Sequence, residues 1–255
     1  MKKYLLEACV DSVESALIAT ENGAQRLELC SNLIIGGTTP TLSLFEEVKR
    51  NCNNLVNVLI RPRFGDFCYS DSEFEVIKKE IVQFKKAGAD GAVIGFLKPD
   101  GSLDCERMKE CIELAGGMQI TLHRAFDVCI DPYETLEQAA ELKINTILTS
   151  GQENSALAGA ECLRRLQEQA KGRLAILAGS GVTPENIEAI YKKTGISHFH
   201  MSGKRVIASR MTYRKENVPM GMDSVSEFEI WQTDGEKIAR AAAVLQKLRE
   251  KDENP

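Results

Sequence analysis

The sequence contains no sustained run of Lys or Arg, and its formal net charge is −5. A nucleic acid or an anionic membrane is therefore not expected as its main partner. No stretch approaches the roughly 18 consecutive apolar residues of a membrane span. The opening Met-Lys-Lys-Tyr-Leu-Leu-Glu starts like a signal peptide, but Glu7 interrupts the apolar run after only a few residues. The eight cysteines, spread from Cys9 to Cys162, include no CxxC pair. Reduced, mostly structural thiols in a cytosolic protein are the expectation. No Pro/Ser-rich linker or low-complexity stretch divides the chain, so 1–255 reads as one domain.

What is present is an alternation. Short apolar or β-branched runs stand at Leu5–Val10, Arg26–Ser31, Val56–Ile60, Gly91–Phe96, Gln119–His123, Thr146–Ser150, Leu174–Gly179 and Ser197–Ser202. Between them lie segments with helical spacing: Phe74, Ile77, Ile81 and Phe84; Leu157, Ala160, Leu163 and Leu166; Ile238, Ala242, Leu245 and Leu248. Asp11 with Glu14, and Asp131-Pro132 with Glu134, look like helix starts, as does Thr183-Pro184. Gly23, Gly88 and Gly195 follow predicted helices, where a left-handed cap favours glycine. Strands alternating with helices imply parallel strands and right-handed crossovers. Eight units and 255 residues predict an α/β protein, a (β/α)8 TIM barrel. A doubly wound open sheet is the competitor. It needs a glycine-rich turn after the first strand, where this chain has Cys9-Val10-Asp11-Ser12.

In a barrel of this kind the working site is built at the C-terminal ends of the strands. Those positions carry Glu7, Cys9, Glu28, Cys30, Arg61, Arg63, His123, Arg124, Asp127, Ser150, Gly179, Gly181, His200 and Ser202. Glu7 and Glu28 interrupt apolar strands. Each is either a structural partner of Arg61, Arg63 or Arg124, or a general acid, base or ligand clamp. His123 and His200 offer a proton shuttle, a metal ligand or a donor to an anion, while His198 is expected to be structural. Gly179-Ser-Gly-Val-Thr-Pro184 and Ser202-Gly-Lys-Arg205 follow strands 7 and 8, where this fold often binds phosphate. The segment from Gly203 to Asp223, with Arg210, Arg214 and Met220-Gly-Met222, is long enough to be expected as a cover over the mouth.

Cys9 and Cys30 sit in matching strings, Leu-Glu-Ala-Cys and Leu-Glu-Leu-Cys, each two residues beyond a Glu and so on the same strand face. On adjacent strands about 4.8 Å apart, two thiolates could bridge one soft metal, Cu(I) or Zn, in a linear arrangement. They could equally pack as two small apolar residues.

Taken together, several strings resemble the CutC family, the copper homeostasis proteins. They are Glu7-Ala-Cys-Val-Asp-Ser-Val-Glu-Ser-Ala16, Arg26-Leu-Glu-Leu-Cys30, Gly36-Gly-Thr-Thr-Pro40 and Ile60-Arg-Pro-Arg-Phe-Gly-Asp-Phe67. Thr121-Leu-His-Arg-Ala-Phe-Asp127, Leu148-Thr-Ser-Gly151, Gly179-Ser-Gly-Val182 and Phe199-His-Met-Ser202 continue the match in order. The resemblance implies a (β/α)8 barrel, a cytosolic homo-oligomer with a role in copper handling, and Cu(I) ligands at Cys9 and Cys30. Leu122 stands where the family usually has Phe, and Ser180 where it has a third glycine.

Two functions stay open. One is a copper homeostasis protein that binds Cu(I) at the barrel mouth through Cys9 and Cys30. The other is a barrel enzyme acting on a small phosphorylated or carboxylated metabolite. There Glu7, Glu28, His123 and Asp127 are the acid-base candidates, and Arg61, Arg63, Arg124, Ser150, Gly179, Gly181, His200 and Ser202 bind the anionic ligand. A redox-responsive binding module using the two thiols is a third, weaker possibility.

Overall fold

Each of the eight short apolar runs becomes a strand, because a parallel barrel strand is buried on both faces and rewards continuous hydrophobicity. The computed structural model describes residues 3–215, 218, 220 and 225–253. Its barrel strands are β1 (Leu5–Val10), β2 (Arg26–Leu29), β3 (Leu55–Leu59), β4 (Gly91–Ile94), β5 (Gln119–Leu122), β6 (Thr146–Thr149), β7 (Ala175–Ala178) and β8 (His198–Met201). They close in sequence order, with β8 pairing β1. The (β/α)8 expectation is met, and the open sheet is excluded by that closure.

Among the described residues, eight α-helices ring the barrel: α1 (Val13–Glu21), α2 (Leu42–Asn51), α3 (Asp71–Ala87), α4 (Cys105–Ala115), α5 (Pro132–Glu141), α6 (Ala160–Ala170), α7 (Ile187–Thr194) and α8 (Gly235–Glu253). The stripe Phe74, Ile77, Ile81, Phe84 is buried on α3. Asp131 caps α5 by accepting from the Tyr133 and Glu134 amides, and Pro132 fills the first turn. Gly88 and Gly195 end α3 and α7 in left-handed conformations.

Three local expectations are corrected. Ser12, not Asp11, caps α1, accepting from the Ser15 amide at 3.2 Å; Asp11 instead accepts from the Leu33 amide beyond β2. Thr183-Pro184 does not open α7. Asn186 accepts from the Thr183 amide and donates to the Gly181 carbonyl, holding those residues in a turn so that the helix begins at Ile187. Leu157 precedes α6 and stays exposed, because the helix starts only after Gly159.

After β8 the chain forms an antiparallel hairpin, β9 (Lys204–Ala208) with β10 (Glu229–Thr233). β10 is tied to α1 through the Thr233 amide, which donates to Ser15 Oγ at 3.1 Å. Much of β9 is exposed, and among the described residues of the expected cover only Gly203 and Lys204 reach the mouth. Met222, with positions 216, 217, 219, 221 and 223 of that segment, lies outside the described residues.

Barrel closure also sets the register. β1 pairs β2 with Glu7 opposite Arg26 and Cys9 opposite Glu28. The strands are staggered by two residues relative to the alignment that the repeated Leu-Glu-x-Cys strings suggest, as a barrel's shear requires.

Candidate functional site

The stagger decides what each carboxylate meets. Glu7, 1% exposed, takes a charged hydrogen bond from Arg26 Nε on one oxygen and holds His200 Nδ1 at 2.7 Å on the other. Burial opposes its ionisation, but the Arg26 guanidinium and the His200 ring hold the carboxyl well below the usual range. The partner is Arg26, not Arg61, Arg63 or Arg124. Glu7 does not line the cavity at the mouth, so its contacts are those of a positioning group for His200.

Glu28, one layer nearer the mouth, accepts from the Cys9 thiol on Oε1 at 3.5 Å, and its Oε2 has no partner. Burial pushes its pKa up, against the nearby His200 charge. Cys9 Sγ and Cys30 Sγ lie 3.8 Å apart, and Cys30 donates to the Val10 carbonyl at 3.6 Å. The hydrogen bond with Cys30, burial and the Glu28 charge push the Cys9 thiol well up, so Cys9 keeps its proton at neutral pH. Burial works against charge on His200, yet Glu28, Cys9 and Glu7 raise its pKa well above the ordinary value. Among the described residues, Cys9, Glu28 and His200 are the one group of three or more His, Cys, Asp or Glu that could hold a metal ion, their donor atoms all within 4.8 Å of one another. A metal binding there must displace protons. Pairing Cys9 with Cys30 alone overlooks Glu28 and His200 as further donors.

A cavity of about 530 Å³ opens above this cluster. Of the expected site residues, Cys9, Glu28, Arg61, His123, Arg124, Gly181, His200 and Ser202 line it. His123 Nδ1 accepts from the Ala125 amide at 3.1 Å, which leaves the proton on Nε2, and Nε2 has no partner. Burial and the Arg61 charge hold its pKa down at about 3, so the ring is neutral at pH 7. Arg61 gives its Nη groups to the carbonyls of Gly36, Gly37 and Gly65, stapling two loops, while its buried Nε is left without a partner. Phe67 packs between them, its ring 4.8 Å from His123 and 5.1 Å from the Arg61 guanidinium.

The remaining expected residues do not line the cavity. Arg63 is engaged by Asp66 in its own loop and by Glu73 in the first turn of α3. Asp127 accepts from Thr149 Oγ1 at 2.5 Å and from the Ser150 amide, and pairs Arg124 at 2.6 Å. Ser150 Oγ donates to the Glu153 carbonyl, and Gly179 backs onto Leu148, which would meet any added Cβ at 2.5 Å. Cys30 sits behind Cys9, fully buried. His198 lies on the same strand as His200 but does not line the cavity; burial and the Arg26 charge lower its pKa.

Comparison with known proteins fits this fold. Residues 4–205 match the CutC family. The chain belongs to the CutC family. A CutC family protein from Bacteroides fragilis (strain YCH46) is 45% identical over 233 residues, covering 90% of this chain and 92% of that protein. The human copper homeostasis protein cutC homolog is 42% identical over 246 residues, covering 96% and 90%. The crystal structure of a CutC protein from Streptococcus agalactiae superposes with a TM-score of 0.75 at 29% identity, covering 78% of this chain and 99% of that one. The departure at Ser180 has a local meaning. Ser180 adopts φ +72, a left-handed conformation that costs a side chain about 1 kcal/mol relative to glycine. Its hydroxyl offsets this by donating to the Asn154 carbonyl at 2.9 Å.

Several lining residues were not among the expected ones. Lys237 and Arg240 come from α8, and Glu185 from the turn before α7. Arg26 carried one signal, a charged residue opening a buried strand. Lys237 and Arg240 carried none, since they look like the solvent face of an amphipathic helix.

Proposed function

We propose that this CutC protein binds Cu(I) at the barrel mouth through Cys9 and Cys30, with His200 and Glu28 as further donors beside Cys9, and so serves copper homeostasis. The observation that carries the reading is the 3.8 Å separation of the two sulfurs, with His200 beside Cys9. With metal–sulfur bonds of about 2.3 Å, that separation corresponds to an S–metal–S angle of about 110°, a bent arrangement that leaves room for a nitrogen. The linear bridge expected from strand spacing alone would need the sulfurs about 4.6 Å apart. Thiolates are the soft donors that select Cu(I). The human relative's name, a copper homeostasis protein homolog, supports the same role. The cytosol suits this reading, because reduced thiols persist there, and the family resemblance supports a homo-oligomer.

The test is Cu(I) titration of the reduced protein against a chromophoric chelator. About one equivalent per chain is expected, as one bent site holds one ion. Cys9→Ser with Cys30→Ser should abolish it while the circular dichroism spectrum is retained. Full stoichiometry in that double variant would overturn the reading.

One observation favours a second reading, an enzyme acting on a small anionic metabolite with Glu28 as base and His123 as acid. Glu28 Oε2, His123 Nε2 and Arg61 Nε are all buried without partners in residues of one cavity wall. Buried polar groups left unpaired cost about 1–3 kcal/mol each, so a polar occupant is expected there. In this reading Glu28→Gln should lower turnover by roughly 100-fold.

A further inference from the structure

The charge of the cavity wall is opposite in sign to that of the whole protein. The chain carries a formal net charge of −5. The mouth is nevertheless lined by Arg61, Arg124, Lys204, Lys237 and Arg240, against only Glu28 and Glu185 as carboxylates. Low-dielectric walls of one sign concentrate counter-charged ligands. The volume is also far more than an ion needs, about 530 Å³ against the ~30 Å³ of one water.

The charges are not spread evenly. At the floor, Glu28 Oε2 is a buried acceptor without a donor, and on the wall His123 Nε2 and Arg61 Nε are buried donors without acceptors. An occupant that satisfies all three must both donate and accept at its inner end, as hydroxyl groups do. An anionic inner end would stand against Glu28. The other lining cations include Lys204 beside β8 and Lys237 and Arg240 from α8, next to the Ser180–Thr183 loop. Lys237 and Arg240 are tethered at their ends, Lys237 to the Lys204 carbonyl at 2.8 Å and Arg240 to Glu185 at 2.5 Å. Both are therefore held at the wall as charges.

We propose that this mouth binds a sugar phosphate, with its hydroxyls inward on Glu28, His123 and Arg61 and its phosphate outward on Lys237, Arg240 and Lys204. Lys204, Lys237 and Arg240 against Glu185 leave an excess of two positive charges at this end, which a doubly charged ester matches better than a single carboxylate does. Leu59, Phe67 and Leu148 also line the cavity and supply apolar surface against which sugar carbons pack. The inference deepens the second reading above and takes from it only that the cavity holds an organic anion; it does not require turnover.

The experiment is calorimetric titration of the reduced, metal-free protein with ribose 5-phosphate, glycerol 3-phosphate, ribose, gluconate and inorganic phosphate. Saturable binding of a phosphate ester is expected, at least about tenfold tighter than inorganic phosphate or gluconate, with ribose binding more weakly still. Lys237→Gln with Arg240→Gln should weaken the ester by about tenfold or more and leave copper stoichiometry unchanged. Lys237→Gln alone serves if the pair does not fold. Glu28→Gln should lose the preference for the ester over inorganic phosphate. The proposal is overturned if neither ester binds, if ester and inorganic phosphate bind equally (an adventitious ion only), if gluconate binds tighter than the esters, or if the α8 variants bind as the parent does. Ester binding without turnover sinks the enzyme reading and leaves this site standing.

Discussion

Replacing Arg26 with Met tests whether the buried carboxylate under the thiols is held by one arginine. The Arg26 side chain is 7% exposed and Glu7 1%, so neither charge is rescued by water. Glu7 would keep His200 Nδ1 at 2.7 Å but lose its guanidinium partner. Removing one member of a buried ion pair costs about 3–5 kcal/mol, because the other charge stays desolvated. In a chain of 255 residues each kcal/mol corresponds to about 2–4 °C, so Tm should fall by roughly 6–20 °C. Urea and thermal melts followed by circular dichroism under reducing conditions measure this. Glu7→Gln combined with Arg26→Met should regain at least about 2 kcal/mol relative to Arg26→Met, since the stranded charge is then gone. A loss below about 1 kcal/mol in Arg26→Met, or simple additivity in the double variant, would refute the argument. At a temperature where Arg26→Met is folded, copper affinity should also drop about 10- to 100-fold, because Glu7 would no longer be fixed in orienting His200.

Two further outcomes follow from the same geometry. His123 has a folded pKa of about 3 against about 6.5 unfolded. A depressed histidine leaves stability intact above the unfolded value and erodes it as pH falls through 6.5 towards 3. Between pH 7 and pH 4 the parent should lose about 3 kcal/mol more than His123→Gln in pH-dependent urea melts, and parallel curves would refute it. Gly37 has φ +83, and an added Cβ would meet Leu59 Cδ2 at 2.7 Å and Cys30 Cβ at 3.3 Å. Gly37→Ala should cost about 2–4 kcal/mol and weaken Cu(I) binding. Gly88→Ala, with φ +89 and open space around it, should cost only about 1 kcal/mol and leave copper binding unchanged.

The local order of this protein is written in its sequence. The eight strands and the ends of most helices follow from apolar runs, periodicity, Ser or Asp caps and terminal glycines, all of which act within a few residues. Placing Cys9, Glu28, His123 and His200 at strand ends is also local, because period two fixes which face a side chain takes. Period two does not fix register. The stagger imposed by barrel closure sets Cys9 opposite Glu28 rather than Cys30, and gives Glu7 to Arg26. It is also tertiary structure that turns Asp127 to the end of β6, where the Thr149 hydroxyl and the Ser150 amide need an acceptor. Lys237 and Arg240 reach the mouth only because α8 packs beside the closing strands, a contact across more than thirty residues of sequence from β8 that no local pattern encodes.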